Sequence, residues 1–481
     1  MTDHGSGSEQ AGDIPEVRDR WLLVAVAGVL SFVAMLDMNI VNVAVADISA
    51  GLGVPAETAQ WAVLGYQLPV VALLLPAGRR LDGTDTRTAL LVATGGFALC
   101  SALAAVSPWM SWLIAARIAQ GACGAVLFVL MPVLAVRSVR PELRGRAMSV
   151  PATLGPLGAV TGPAVGGLLL DHLGWRWIFL VKVPFCLLVV LIVAVRVPRG
   201  GTAGARPAPS QGSRASTAGR RALADAALVA AGVAVLLLSL TLAAYTSAWL
   251  ALAPAAAVPL WWWLRGPGGR PVAGVLRAAG LLRAHGAVLA LAAGFAAAHY
   301  VIALHLQRDE GVSATATGLA VLAFPLGMGV AGPLGGRLAD RYGARPVALT
   351  GAALTAAGLL LLVPLGDGWS PADVAWRLAA AGFGMGLNGG PVQALVMGAA
   401  PPDRAATVGS TVQLARSLGF TLGPALATAA WGLTGPDGGA RAGLALAATA
   451  ACLAVPLLAL PSRRPAAPSE ETTDAASAAP R

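Results

Sequence analysis

Apolar stretches of about twenty residues alternate along the chain with short segments carrying Arg, Gly and Pro. A helix of that length, at 1.5 Å per residue, reaches across the hydrocarbon core of a bilayer. The pattern predicts fourteen such helices, at about 21–46, 58–77, 88–107, 111–136, 147–170, 175–198, 223–245, 248–265, 285–306, 315–336, 347–365, 373–396, 405–433 and 441–460. Ala44-Val45-Ala46 imitates a signal-peptidase site, but the apolar run before it is longer than a signal core and carries Asp37, Asn39 and Asn42. The first helix is therefore expected to be retained.

Composition agrees with this pattern. Hydrophobic residues make up 57% and charged residues 12%, about half the usual charge of a soluble domain. That excludes a disordered chain, a disulfide-stapled miniprotein and an ordinary cytosolic enzyme. With the N-terminus inside, 26 basic residues fall in cytoplasmic segments and 4 in external ones. This distribution predicts a multi-pass protein of the cell membrane with both termini cytoplasmic. The thirteen tryptophans sit near predicted span ends, as an interfacial belt requires. The net charge of +10 is spread over many short loops, so no groove-sized basic patch offers itself to nucleic acid. Lys182, the only lysine, follows Leu180-Val181. A Gly-Lys-Ser/Thr phosphate loop is thereby excluded. Cys100, Cys123, Cys186 and Cys452 lie in apolar runs and read as buried small hydrophobes. No metal site and no cofactor are expected.

An internal repeat organises the chain. Gly78, Arg79, Asp82 and Arg87 return as Gly336, Arg337, Asp340 and Arg345, each 258 residues on. Arg117 and Arg377 are 260 apart, and Gly158, Gly162 and Pro163 return 261 residues later as Gly419, Gly423 and Pro424. The predicted layout is a tail (1–20), a six-helix bundle (21–198), a linker (199–222), two inserted helices (223–265), a linker (266–284), a second six-helix bundle (285–460) and a disordered tail (461–481). Parallel repeats of this kind place a substrate site near the bilayer midplane at their interface.

These motifs resemble those of the major facilitator superfamily, and the fourteen-helix count is similar to its drug:proton antiporters of the EmrB/QacA type. Four stretches carry the resemblance, which spans roughly residues 18–460. Leu36-Asp37-Met38-Asn39-Ile40-Val41-Asn42-Val43-Ala44 is similar to that group's first-helix signature. Gly78-Arg79-Arg80-Leu81-Asp82 matches the superfamily loop partly, with Gly83 and Asp85 replacing its next Arg and second Gly, while Gly336-Arg337-Leu338-Ala339-Asp340-Arg341-Tyr342-Gly343 is fuller. Arg117-x-x-Gln120-Gly121 resembles the fourth-helix proton-coupling motif. Gly158-x-x-x-Gly162-Pro163-x-x-Gly166-Gly167 resembles the fifth-helix antiporter motif, and Trp175-Arg176-Trp177-Ile178-Phe179 the loop after it. The resemblance implies export of a small organic molecule in exchange for protons, by a protein that works as a monomer in the lipid bilayer.

The residues themselves suggest roles. Asp37 is the one carboxylate deep in a predicted span, where a charge costs at least about 2.5–3.5 kcal/mol. It reads either as the fixed partner of an Arg or as a titrating proton carrier. Arg117, Gln120, Gly121 and Gly124 form one helical stripe, with Asp37 the natural acceptor for Arg117. Asn39 and Asn42 lie on a different face from Asp37, and one of the two faces meets the cavity. Gly158, Gly162, Pro163, Gly166 and Gly167 read as a close-packing and bendable surface. Gly78, Arg79, Asp82, Arg87, Gly336, Arg337, Asp340, Arg341 and Arg345 read as gating loops or as orientation signals. Candidates for the substrate cavity are Asn39, Asn42, Tyr66, Gln67, Gln120, Lys182, His299, Gln413 and Arg416. Lys182 could alternatively snorkel to the outer interface, and His299 could be a satisfied core histidine. Three cations against one acid in the spans suggest a cavity favouring anionic, zwitterionic or neutral molecules. Uptake of a metabolite by a facilitator remains the alternative to export. An integral-membrane enzyme is disfavoured because His4, His172, His285, His299 and His305 form no ligand pair.

Overall fold

A computed structural model describes residues 19–82, 84–197, 224–225, 227–236, 239, 247–278, 280–364, 369–434 and 436–460. Regular structure among them is entirely helical, and nine helices are long and apolar enough to cross a membrane. Twelve helices form two sets of six. The first set is α1 (Trp21–Val43), α2 (Trp61–Leu81), α3 (Thr86–Ala105), α4 (Met110–Arg137), α5 (Arg144–Leu173) and α6 (Val183–Arg196). The second is α7 (Leu282–Leu304), α8 (Ala314–Tyr342), α9 (Ala344–Leu360), α10 (Pro371–Gly398), α11 (Ala405–Thr434) and α12 (Pro436–Ala459).

The two sets pack alike. α1 lies along α5 and α2 along α4, while α7 lies along α11 and α8 along α10. Small residues make this possible. A Cβ at Gly158 or Gly423 would run into the carbonyl oxygen of Phe32 or Ala293, respectively, so the helix backbones nearly touch. Polar residues fix some helix starts. Ser370 and Asp373 close a reciprocal capping box on α10, and Asp85 accepts from the amide of Thr88 at 3.0 Å.

Several elements depart from the apolar pattern. The first helix ends at Val43, and the chain re-enters a helix at Val45–Leu52 that Gly53 terminates with φ +65°. The sixth predicted span is divided: one turn at Trp177–Leu180 precedes α6, where Pro184 has no amide hydrogen to give at the helix start. Between the sets, Ser247–Ala256 winds as a 3-10 helix and Ala257–Arg265 as an α-helix. Neither is itself a candidate span, and the predicted 223–245 helix falls largely outside the described residues. The expected linker 266–284 contains a helix, Gly269–Ala278. Its Val272 is buried with Val71, Leu75, Val229, Val233 and Trp263, so an amphipathic face has been given a partner. The tails and most of the 199–222 linker lie outside the described residues.

Across the interface between sets, α5 meets α8 and α10, and α11 meets α2 and α4. Among the described residues every hydrogen bond between the sets lies at the end bearing Arg79, Arg146 and Arg404. The glycine approaches agree. A Cβ at Gly390 would sit 2.9 Å from Ser149 Cα, and one at Gly336 2.9 Å from Arg146 Cα. At the opposite end Gly167 and Gly318 face open space. The halves are thus shut at the Arg-rich end and part toward the other.

Candidate functional site

One charged cluster is enclosed inside the first set of helices. α1 contributes Asp37, α4 contributes Arg117 and Gln120, and Lys182 stands at the start of α6, all essentially unexposed. Arg117 Nη1 donates to Asp37 Oδ2 at 2.9 Å and Oδ1 at 3.1 Å, and to Gln120 Oε1 at 2.8 Å. Its Nε donates to the Ala62 carbonyl at 2.7 Å. Gln120 Nε2 donates to Asp37 Oδ1 at 3.3 Å and to Ser101 Oγ at 2.8 Å. Lys182 Nζ is in direct contact with Asp37 Oδ1. The Arg117 guanidinium lies 4.5 Å from the Tyr66 ring, and the Lys182 ammonium 5.1 Å from that of Phe179. One buried carboxylate thus faces two cations, and with all three ionised the cluster carries a net +1.

Local chemistry explains why the chain folds this way. The spacing of Arg117, Gln120, Gly121 and Gly124 puts all four on one face of α4. A Cβ at Gly121 would strike the Tyr66 carbonyl, so α2 approaches closely there. That approach brings the Ala62 carbonyl to the guanidinium. The break before α6 places Lys182 at a helix start, from which its side chain turns inward.

Three expectations change here. Gln120, Tyr66 and Lys182 do not line the space between the halves; they are enclosed in this cluster, because Asp37 demands compensation for its charge once water is removed. Lys182 does not snorkel to an interface. Asp225, expected to be solvated or a cap, ion-pairs with Arg79 at 2.8 Å. Two participants were not foreseen, Ser101 and the Ala62 carbonyl. Ser101 could have been flagged as a hydroxyl inside an apolar run, whereas a backbone carbonyl leaves no sequence trace.

Other candidates fall elsewhere. Asn39 lies toward α5, its Cβ 3.2 Å from where a Gly162 Cβ would be, and donates to the Met35 carbonyl at 2.8 Å. Asn42 is exposed and donates to Met38 O at 3.2 Å. Gln67 is half-buried on α2. His299 stacks on Phe295 at 4.1 Å and donates or accepts at the Phe295 carbonyl, 3.1 Å away. Gln413 and Arg416 lie on α11, where Arg416 Nη2 donates to Gln393 Oε1 at 3.2 Å. Gly158, Gly162 and Gly166 all face α1, while Gly167 faces open space and Pro163 is exposed within a continuous α5. Arg377, the repeat counterpart of Arg117, instead lies over Trp369 and Trp376 at 4.0 and 4.4 Å. The second half therefore keeps the position but not the buried carboxylate pair.

The loop residues divide into two kinds. Arg87 donates to the Ala194 carbonyl at 2.9 Å, and Arg345 to the Leu458 carbonyl at 3.0 Å. Each ties down the end of the sixth helix of its own half. Asp82 and Asp340 cross between halves. Asp82 accepts from the Ala406 amide at 2.8 Å and from the Thr407 amide and hydroxyl, at the start of α11. Asp340 accepts from the Arg146 amide at 3.3 Å, with the guanidinium 3.5 Å away. Arg337 and Arg341 are exposed. Burial holds the Asp82 carboxyl above the usual aspartate range, against the lowering by Thr407 and the Ala406 amide. A raised value means that this group favours closure in acid and that its contribution is lost as pH rises through that value. Removing the contact itself has a larger effect. Asp82→Ala is expected to speed maleimide labelling of a cysteine at the enclosed Ser149 by roughly ten- to hundredfold, the worth of hydrogen bonds to a charged acceptor. Unchanged labelling would show that Asp82 does not hold the halves shut.

A profile of the Major Facilitator Superfamily matches residues 27–296 and 284–480. The chain belongs to this superfamily of membrane transporters and is not an enzyme. Among curated relatives, it is similar to the multidrug resistance protein Stp of Mycobacterium tuberculosis, 29% identical over 422 residues, covering 86% of this chain and 77% of the relative. The methyl viologen resistance protein SmvA of Salmonella typhimurium is 29% identical over 418 residues, covering 85% and 81%. The fold resembles the crystal structure of the human organic anion transporter MFSD10, with a TM-score of 0.64 at 18% identity over 92% of this chain and all of that one.

Proposed function

We propose that the protein is a proton-coupled exporter of small organic molecules, such as drugs, antibiotics or secondary metabolites. It works in the cell membrane by alternating access, as a monomer of fourteen spans with both termini cytoplasmic. The two six-helix bundles rock about their shared interface while the inserted helices ride alongside. The relatives named for drug resistance support the direction of transport. The observation that carries the coupling is the enclosed Asp37–Arg117–Lys182 cluster. One proton more or less changes its summed charge by one unit, in a setting where an uncompensated charge is costly. α1, which bears Asp37, packs through Gly158 and Gly162 on α5, and α5 forms the interface with the second half. A change of charge at the cluster is thereby passed to the helix that must move. The closed Arg-rich end corresponds to a pump open toward the exterior, ready to discharge its substrate and load protons.

The test uses the purified full chain in proteoliposomes. An imposed proton gradient should drive a compound, first identified by a resistance screen in a pump-deficient host, against its own gradient, with protons moving the opposite way. Flux that follows the substrate gradient and ignores protons would overturn the reading in favour of facilitated transport.

A further inference from the structure

The sequence places three cations in the spans, but the structure assigns two of them, Arg117 and Lys182, to Asp37. Arg416 is left without a carboxylate among the described residues. Its described polar partner is the amide oxygen of Gln393. Both side chains come from surfaces that face the other half. On α11, Gly409 contacts Pro132 of α4 at 3.7 Å, and Arg416 follows two turns later on the same face, about 10 Å along the axis toward the parted end. On α10, Gly389 and Gly390 meet Ala152 and Ser149 of α5, and Gln393 follows one turn on. Gln413, one turn before Arg416, is buried and its amide makes no described hydrogen bond. One turn beyond Arg416 stands Phe420, whose ring lies 5.8 Å from Phe295, which in turn stacks on His299.

We propose that Arg416, Gln393 and Gln413 form the polar end of the substrate site and take the carboxylate of an aromatic organic acid, whose ring lies against Phe420 and Phe295. A guanidinium facing an interior space with no protein anion offers a charge-assisted, bidentate seat for a carboxylate. An amide already held on Arg416 can turn to accept or donate at the same ligand, and the aromatic wall one helical turn away receives its apolar body. A multiply charged cation meets instead a like charge and no compensating acid. This proposal rests on the exporter reading and names its substrate class.

The test compares 2-naphthoate with 2-naphthylmethylammonium and the dication methyl viologen. Equilibrium binding to the full chain in nanodiscs should show 2-naphthoate binding and the two cations failing to displace it. Arg416→Gln should weaken that binding roughly ten- to hundredfold, and Arg416→Lys less, because lysine keeps the charge but loses the planar fork. If Arg416→Gln does not fold, Gln413→Leu gives the same answer through a smaller loss. Equal binding of the naphthyl acid and amine, or binding unaffected by these variants, overturns the proposal. Counterflow of 2-naphthoate separates it from the exporter reading, since exchange needs no proton gradient. Counterflow without any proton response supports this site while removing proton coupling. Proton-driven export of another compound with no 2-naphthoate binding does the reverse.

Discussion

Asp37→Asn is expected to reduce proton-driven transport to background and to lower the thermal stability of the protein. The carboxylate is the sole described anion in contact with Arg117 and Lys182, and all three are shut away from water. Removing one member of a buried ion pair costs about 3–5 kcal/mol, because it strands the partner rather than merely deleting an attraction. Here two partners are stranded, and the cluster moves from +1 to +2. Lys182→Met takes it to zero and leaves Asp37 with Arg117, so that variant should fold as well as the parent or better. The double variant returns the sum to +1 and should recover part of the stability lost in Asp37→Asn. The measurements are the melting temperatures of the three variants in detergent and their substrate flux with and without a proton gradient. Restored folding in the double variant without restored coupling would assign to Asp37 a role that stability alone does not explain. Proton-driven flux of normal size in Asp37→Asn would remove the cluster from the mechanism.

The second large effect is expected at Gly158. A side chain there would run into the Phe32 carbonyl, a backbone atom that cannot swing aside as a side chain could. Gly to Ala within a helix ordinarily stabilises by about 0.5–1 kcal/mol. At Gly158 that gain is expected to be reversed by overpacking of about 1–3 kcal/mol for Ala, and more for Val. Gly167→Ala is the matched control. It belongs to the same motif and helix, but its Cβ would meet open space, so it should keep or raise the melting temperature. Transport should fall with Gly158→Val, since the displaced α1 carries Asp37 and α5 carries the interface with the second half. Equal tolerance of Ala at both positions would show that α1 and α5 are not packed backbone to backbone.

Much of this architecture was visible in the pattern of residues. Apolar run lengths reveal most of the helices, because a hydrocarbon solvent demands a continuous apolar surface of fixed length. The 258–261-residue repeat anticipates that α1–α5 and α7–α11 pack alike. Glycine periodicity on α5 marks a close helix contact. Short or interrupted elements escaped this reading. Gly269–Ala278 carries Arg270 and Arg277 and resembles a linker by composition, yet its Val272 is covered by α2. The division before α6 leaves no hydropathy signal, since Trp177–Leu180 is as apolar as the helix that follows.

The composition and spacing of the chain determined that it is a helical membrane protein built from two related halves, and that a lone deep carboxylate needs a cation. They did so because those properties depend on one-dimensional quantities: length, period and charge per span. Only the tertiary structure decided how the cations are shared. Arg117 and Lys182, 65 positions apart, converge on Asp37, while Arg416, equally deep by sequence, faces the other half with an amide alone. Likewise Asp82 bridges the halves and Arg87, five residues later, does not. Such assignments depend on which helix faces meet and how far a side chain reaches, and no local pattern encodes either.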